Sequence, residues 1–229
     1  MKIAKNRKDM LKELDLSKIY EPIEAIKILK DKSYVKFNET IDVAVNLAID
    51  TNKTDQNIRG VINLPKGTGK PVKVAVVTSD AKIKEAIDNG ADITGGNEII
   101  ENISNNKIEF DILISSPDMM SSLGKVAKIL GPRGLMPNPK LGTVTTDIGK
   151  AVKDAKSGQV KFKNDKAGIV HAGIGKIEFT EDDILENLKS LYSSISKSKP
   201  DSVKGSFIKK VTIASTMGIG LQVNQASLR

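Results

Sequence analysis

Two short strings in this chain carry residue types that can hold a nucleotide. Asn52-Lys53-Thr54-Asp55 spells the guanine-reading motif of GTPases. That motif works only beside a phosphate loop, and no G-x-x-x-x-G-K-[ST] occurs anywhere in the sequence. Gly67-Thr68-Gly69-Lys70 has the glycines and the lysine of such a loop, but Leu64 stands where its first glycine belongs and Pro71 follows the lysine. A dinucleotide site fares no better, because the apolar run Val72–Val77 leads into Thr78-Ser79-Asp80 without a glycine fingerprint. His171 is the only histidine and there is no Cys, so a metal would have to be held by carboxylates. The acidic run Glu181-Asp182-Asp183 is accounted for by the positive end of a helix dipole. These readings predict no catalytic residue, no metal and no cofactor, hence a protein that is not an enzyme. Gly131-Pro132-Arg133-Gly134 is different: its G-x-x-G form is one that RNA modules use to clamp a backbone. It reads equally well as a Pro/Gly loop leaving a helix.

Composition narrows the partners. Hydrophobic residues make up 39% and charged residues 28%, the balance of a globular protein. Aromatics are 3%, with no Trp, too few for the broad stacking platform of single-strand binders. The 229 residues carry 36 Lys and Arg against 28 Asp and Glu, a formal charge of +8, which suits a polyanion. The excess is uneven. Residues 1–66 hold 13 basic and 10 acidic groups, residues 67–159 hold 12 and 11, and residues 160–229 hold 11 and 7. The two ends therefore carry +7 and the middle +1. The basic start (Lys2, Lys5, Arg7, Lys8) runs into Asp9, Glu13 and Asp15 rather than an apolar signal core. Aliphatic runs such as Val74–Val77 fall far short of a membrane span. The expectation is a cytoplasmic protein with no membrane partner.

Periodicity supplies the elements that would position these residues. Glu21-Pro22 opens a helix, with Ile23, Ile26 and Ile28/Leu29 at helical spacing. Ile41, Val43, Val45, Leu47 and Ile49 alternate with Asp42, Asn46 and Asp50, a strand with one wet face. A loop from Asp50 to Asn57 leads to a second strand around Ile58–Leu64. The style then changes. Val72–Val77 reads as a parallel strand covered on both faces, followed by a helix to Asn89 closed by Gly90. A strand at Ala91–Thr94, a helix from Asn97, a strand at Phe110–Ser115 and a helix from Pro117 to Leu130 repeat the cycle. A Gly/Pro-rich loop and a helix from Thr146 to Lys156 finish it, so this stretch reads as a small doubly wound parallel sheet. After Gly158 the alternating style returns. Val160–Lys163 and Ile169–Lys176 read as hairpin strands, Thr180 with Asp183 caps a helix buried through Ile184, Leu188, Leu191 and Ile195, and Phe207–Ser215 is a last strand. The predicted fold is α/β in two domains: a discontinuous, two-layer α+β domain from 1–66 plus 160–229, and an inserted three-layer α/β domain, 67–159.

Several strings resemble one known family. Gln56-Asn57-Ile58-Arg59-Gly60-Val61 followed by Leu64–Lys70 is similar to the first-domain exit of the ribosomal protein L-one family, the stalk protein of the large subunit. Leu130-Gly131-Pro132-Arg133-Gly134-Leu135-Met136-Pro137-Asn138-Pro139-Lys140, continuing to Gly142-Thr143-Val144, resembles its signature. Phe162-Lys163-Asn164-Asp165-Lys166 and Thr216-Met217-Gly218 resemble further family motifs in the same order. The resemblance implies a first domain, built from both chain ends, that grips large-subunit rRNA at the base of a mobile stalk. It implies an inserted Rossmann-like domain, a role in releasing deacylated tRNA from the exit site, and translational repression of the protein's own operon through its mRNA. Free in solution, such a protein is expected to be a monomer.

The resemblance also implies an RNA face. It comprises Lys36, Phe37, Glu39 and Thr40, then Lys163, Asp165 and Lys166, and finally Ser215, Thr216, Met217 and Gly218. Hydroxyl, carboxylate and backbone groups suit the 2′-hydroxyls of a wide minor groove, and lysines suit phosphates. Phe37 reads also as a core residue, Thr216-Met217-Gly218 as a plain strand end, and the lysines as solvated charges. Arg133 and Lys140 are the middle-segment candidates for tRNA, since a Pro-stiffened loop presents a cation at low entropic cost. The chain departs from the family after Gly218, where Ile219 replaces a usual proline and Leu221-Gln222 stand near a usual basic residue; this puts one phosphate contact in question. Two rival readings are a nucleotide-binding enzyme built on the middle segment and an RNA regulator that is not a ribosomal component.

Overall fold

The computed structural model describes residues 14–15, 18–203 and 205–228, with the side chains of Thr54, Asp80, Ala81 and Lys140 outside that description. The fold is mixed α/β, and the chain divides into two compact units, Met1–Gly69 with Val160–Arg229 and Lys70–Gln159. Among the described residues no helix is long and apolar enough to cross a membrane.

Helix α1 (Pro22–Asp31) starts at Pro22, whose missing N–H would have gone unsatisfied in a first turn anyway. The Glu21 carboxylate does not cap it but accepts from Asn224 Nδ2 at 2.9 Å and Ser227 Oγ at 2.6 Å. Ala25, Ile26 and Leu29 are buried, whereas Ile23 is 42% exposed. At helical pitch Ile23 falls about 110° from the centre of the buried stripe, so spacing alone put it on the wrong face. Strand β1 (Thr40–Leu47) alternates as expected, burying Ile41, Val43, Val45 and Leu47. Strand β2 (Arg59–Asn63) follows a short turn.

In the middle unit the strands β3 (Val74–Val77), β4 (Ile93–Gly95) and β5 (Ile112–Ser115) are parallel, in the order β4-β3-β5. Helices α2 (Asp80–Asp88) and α3 (Asn97–Ser104) make the crossovers. Ala75, Val77 and Leu113 pack with Ile99 and Ile103, while Val74, Val76, Ile112 and Ile114 pack with Ile148 and Val152. Both faces are thus covered, and the apolar runs are continuous for that reason. The single helix predicted from Pro117 to Leu130 is instead a chain of turns. Two one-turn helices, α4 (Met120–Leu123) and α5 (Ala127–Leu130), alternate with 3-10 turns at Pro117–Met119 and Gly124–Val126. Gly124 holds helical geometry weakly, and Val126 leaves it at φ −101°, ψ 6°. Helix α6 (Ile148–Lys156) begins two residues later than expected, because the Asp147 carboxylate accepts from Lys150 N–H and caps it there.

The chain returns through β6 (Gln159–Lys163), β7 (Ile169–Lys176), helix α7 (Glu181–Lys197), β8 (Ile208–Ser215) and β9 (Leu221–Val223). The predicted β6–β7 hairpin does not form. Strand β6 pairs with β2 in a separate two-stranded sheet, while β7 joins an antiparallel sheet of order β7-β1-β8-β9; one bridge, Asn164↔Val170, is what links β6's end to β7. The competing partner wins by packing: the Phe162 ring lies against Gly60, where a Cβ would come within 2.3 Å of it. Asn164 Oδ1 also accepts the Ile58 N–H at 2.7 Å. Helix α7 is capped by Thr180, whose hydroxyl accepts from Asp183 N–H, and it buries Ile184, Leu188, Leu191 and Ile195 as predicted. Helices α1 and α7 share one core with β1, β7 and β8.

Asn187 is a polar residue within that core, fully buried on α7. Its amide accepts from Lys66 N–H at 3.1 Å and donates to Gly67 O at 3.0 Å and Ile174 O at 2.8 Å. Asn187→Ala would strand those three backbone groups. The expected loss is about 2–3 kcal/mol of stability, to be measured by urea unfolding as a lower midpoint with an unchanged slope.

Candidate nucleic-acid interface

The side of the sheet away from α1 and α7 is open. Thr40, Asp42, Ala44 and Asn46 of β1 line it, flanked by His171 and Gly173 of β7 and Lys210, Thr212 and Ala214 of β8, none of them buried. Asp42 pairs with Gly173 and Ala214, and Ala44 with His171 and Thr212. Apart from His171, short side chains therefore keep the middle of this face low. The Asp42 carboxyl is held above the ordinary aspartate value, first by loss of solvent, although its residue surface is largely accessible; Lys176 and then His171 pull it the other way.

At one end of this sheet the structure gathers eight of the expected residues. The chain between α1 and β1 meets the turn that follows β8, and Glu39, buried at 1% exposure, joins them. Glu39 Oε1 accepts from Met217 N–H at 2.7 Å and from Ser215 Oγ at 3.2 Å, and Oε2 accepts from Ser33 Oγ at 2.7 Å. Thr216 extends the β1–β8 ladder: its N–H donates to Thr40 O at 3.1 Å, and its hydroxyl accepts from Thr40 N–H at 3.0 Å. Lys176 Nζ donates to Thr40 Oγ1 at 2.8 Å. Gly218 has no room for a side chain, since a Cβ would lie 2.4 Å from Ser215 Oγ. Around this frame Lys36, Phe37, Thr216 and Met217 are exposed. Phe37 is 53% exposed, so its core reading is overturned. Glu39 takes the opposite part from the one expected, because its carboxylate is spent on protein donors and faces inward. Ile219 is buried, so the departure at that position lies beneath the surface.

Lys163, Asp165 and Lys166 are elsewhere. They are exposed around the turn before β7, which meets β1 at its far end, Leu47 N–H donating to Gly168 O at 3.0 Å. Thr40 and Leu47 bound β1, and at strand rise they are about 23 Å apart. The expected site is thus two patches at opposite ends of one open face. The second patch is equally tied down. Asp165 Oδ1 accepts from Ala167 N–H at 2.9 Å and Ile169 N–H at 2.8 Å, which holds its carboxyl below the ordinary value, the Ile169 bond being the largest cause. Gly168 turns the chain at φ 76° with Ile49 packed against it. Buried Asn164 donates to Asn57 Oδ1 at 3.1 Å, and Thr51 Oγ1 donates to Lys166 O at 2.8 Å. The Asn52–Asp55 string therefore belongs to the loop that braces this turn. His171 Nε2 lies 3.7 Å from Asp165 Oδ2.

In the middle unit Arg133 is exposed in the turn from Gly131 to Gly134, which closes through Gly134 N–H to Gly131 O at 3.0 Å. Lys140 lies in a 3-10 turn, Pro139–Leu141, and its side chain is outside the described residues. Gly67 and Gly69 adopt φ 69°, and a Cβ at Gly69 would meet Lys176 and Phe179; both glycines turn the chain, and Gly69 also fits against packed side chains. Sequence reasoning missed Ser33, Lys176 and Asn164 as supports. Asn164 stood within a quoted motif, but Ser33 and Lys176 are common residues with no distinguishing local signal.

The Ribosomal protein L1p/L10e family model matches residues 29–219. The large ribosomal subunit protein uL1 of Actinobacillus succinogenes is 49% identical over 227 residues, covering 99% of both chains. That of Haemophilus influenzae is 50% identical with the same coverage, and that of Vibrio campbellii is 48% identical, covering 99% of this chain and 97% of its own.

Two outcomes follow from this geometry. Glu39→Ala leaves three donors without their acceptor, so stability falls by about 3 kcal/mol and exchange of the Met217 amide speeds up, as read by chemical denaturation and amide hydrogen exchange. For Asp165 the folded pKa lies below the unfolded one, so its stabilisation is complete above the ordinary aspartate range and is lost as pH falls through the folded value. Asp165→Ala is expected to lower the melting temperature at neutral pH, the difference from wild type closing on acidification below that range.

Proposed function

The chain belongs to the ribosomal protein L1p/L10e family, and from that premise we propose that it is a structural protein of the large ribosomal subunit that binds rRNA directly through the open sheet face of the Met1–Gly69 and Val160–Arg229 unit. Relatives covering the full chain bear the name large ribosomal subunit protein. The observation that carries the reading is the Glu39 junction. It fixes Phe37, Thr216 and Met217 on rigid backbone at the end of a shallow polar face, a shape suited to a structured RNA. Thr216 and the Gly218 backbone meet 2′-hydroxyls, Met217 and Phe37 cover sugar or base surface, and Lys36, Lys163 and Lys166 pair with phosphates. The two patches grip successive parts of one RNA across Ala44, Asn46 and Lys210, and the +7 charge of these segments draws it in.

In this reading the middle unit serves a second RNA. Arg133 and Lys140, on the Gly/Pro-rich loop, touch the tRNA leaving the exit site, and the protein assists that tRNA's release from the mobile stalk. An mRNA segment shaped like the rRNA site would occupy the same face, which accounts for repression of the protein's own operon. The protein is active as a monomer bound in the subunit, without a cofactor.

The test is binding to a stalk fragment of large-subunit rRNA across a salt series. Wild type is expected to select that fragment over random duplex RNA. Gly218→Val and Met217→Ala are both expected to lose affinity, the second without disturbing the Glu39 bonds. Lys163→Ala and Lys166→Ala should each reduce the salt slope by about one unit. Equal, weak binding to both RNAs, unmoved by these substitutions, refutes the proposal.

A further inference from the structure

Six large apolar side chains are exposed among the described residues: Ile19, Ile23, Tyr34, Phe37, Ile87 and Met217. Three of them stand on backbone fastened to Glu39. Tyr34, 43% exposed, follows Ser33, whose hydroxyl donates to Oε2; Phe37 precedes Glu39 by two residues; Met217 donates its N–H to Oε1. The aromatic inventory sharpens this. Of eight Phe and Tyr, five are buried, Phe179 is partly buried, and Tyr34 and Phe37 alone are exposed. Both lie in the same few residues between α1 and β1. Phenyl and phenol rings are normally withdrawn from water unless something else covers them. No hydrogen bond of the Tyr34 hydroxyl occurs among the described residues.

We propose that Tyr34 is a further RNA-contacting residue, stacking its ring on an unpaired nucleobase of the RNA held at this surface and forming one platform with Phe37 and Met217. The inference rests on the rRNA reading above and adds a contact to it. Of the family-derived residues at this end, Phe37 alone is aromatic, and a base swung out of a structured RNA needs an aromatic face to lie on, which Tyr34 extends. The anchoring of both loops by Glu39 holds the backbone beneath the ring, so little main-chain freedom is lost on binding. A nucleobase suits this position better than a protein side chain, because the same Glu39-anchored segments also expose Lys36 and Thr216, phosphate- and hydroxyl-binding groups.

The experiment uses the full chain and the same stalk fragment. Tyr34→Ala is expected to weaken binding roughly 5- to 100-fold with the salt slope unchanged, because a stacking contact and not a phosphate pairing is removed. Tyr34→Trp introduces the only tryptophan in the chain; it should keep the affinity, and its emission should be quenched on saturation with RNA. The proposal is overturned if Tyr34→Ala binds within about twofold of wild type, or if the emission of Tyr34→Trp is unmoved by bound RNA, while Gly218→Val still loses affinity. That result would leave the rRNA reading standing and the exposed ring available to a protein neighbour. If wild type itself fails to select the stalk fragment, the rRNA reading falls and this proposal falls with it.

Discussion

Glu39 places a carboxylate where the chain leaving α1 meets the turn closing β8, and three donors converge on it from Ser33, Ser215 and Met217. Ser33 lies far in sequence from Ser215 and Met217, and the paired Thr40–Thr216 hydrogen bonds tie the same two segments beside the carboxylate. A buried carboxylate accepting several hydrogen bonds is costly to unmake, because each donor left behind is also desolvated. The junction therefore acts as a rigid corner. What projects from it, Lys36, Phe37, Thr216 and Met217, is exposed not because the chain is loose there but because its backbone is fixed facing outward. The requirement for glycine at 218 belongs to the same corner, since a side chain there would displace the Ser215 hydroxyl from the carboxylate.

The opposite end of the sheet repeats the principle with different chemistry. Asp165 closes its own turn through two backbone N–H groups, Asn164 bridges that turn to Asn57 and Ile58, and Gly168 lets the chain reverse against Ile49. Between the two ends the open face carries short side chains along its centre. Two stiff patches about 23 Å apart, joined by a low polar surface, suit a partner that is itself rigid and extended. This is the physical content of the rRNA proposal, and it explains why the candidate residues need not touch one another to act on one ligand.

Much of the fold was legible in the sequence because it is written in local periodicity. The alternation of Ile41, Val43, Val45 and Leu47, the continuous Val74–Val77 run and the Ile184, Leu188, Leu191, Ile195 stripe each announced an element and its buried side. What was not legible depends on long-range choice. Nothing local says that β6 prefers β2 to β7, since that follows from Phe162 seating on Gly60. Nor could spacing reveal that Gly124 and Val126 break the helix predicted from Pro117 to Leu130. The site was legible as a set of motifs but not as a geometry. The role of Glu39 inverts on inspection: the residue expected to face RNA is the one that faces inward and orders its neighbours.

The central claim is that one open face, with a patch at each end, receives a single RNA. Amide hydrogen exchange on the full chain, with and without the rRNA stalk fragment, tests it most directly. The account predicts slowed exchange on binding at 36–40, 163–168 and 215–218 together, including amides bordering the Thr40–Thr216 pairing. Protection confined to the Lys70–Gln159 unit, or to only one of the two sheet ends, would contradict it.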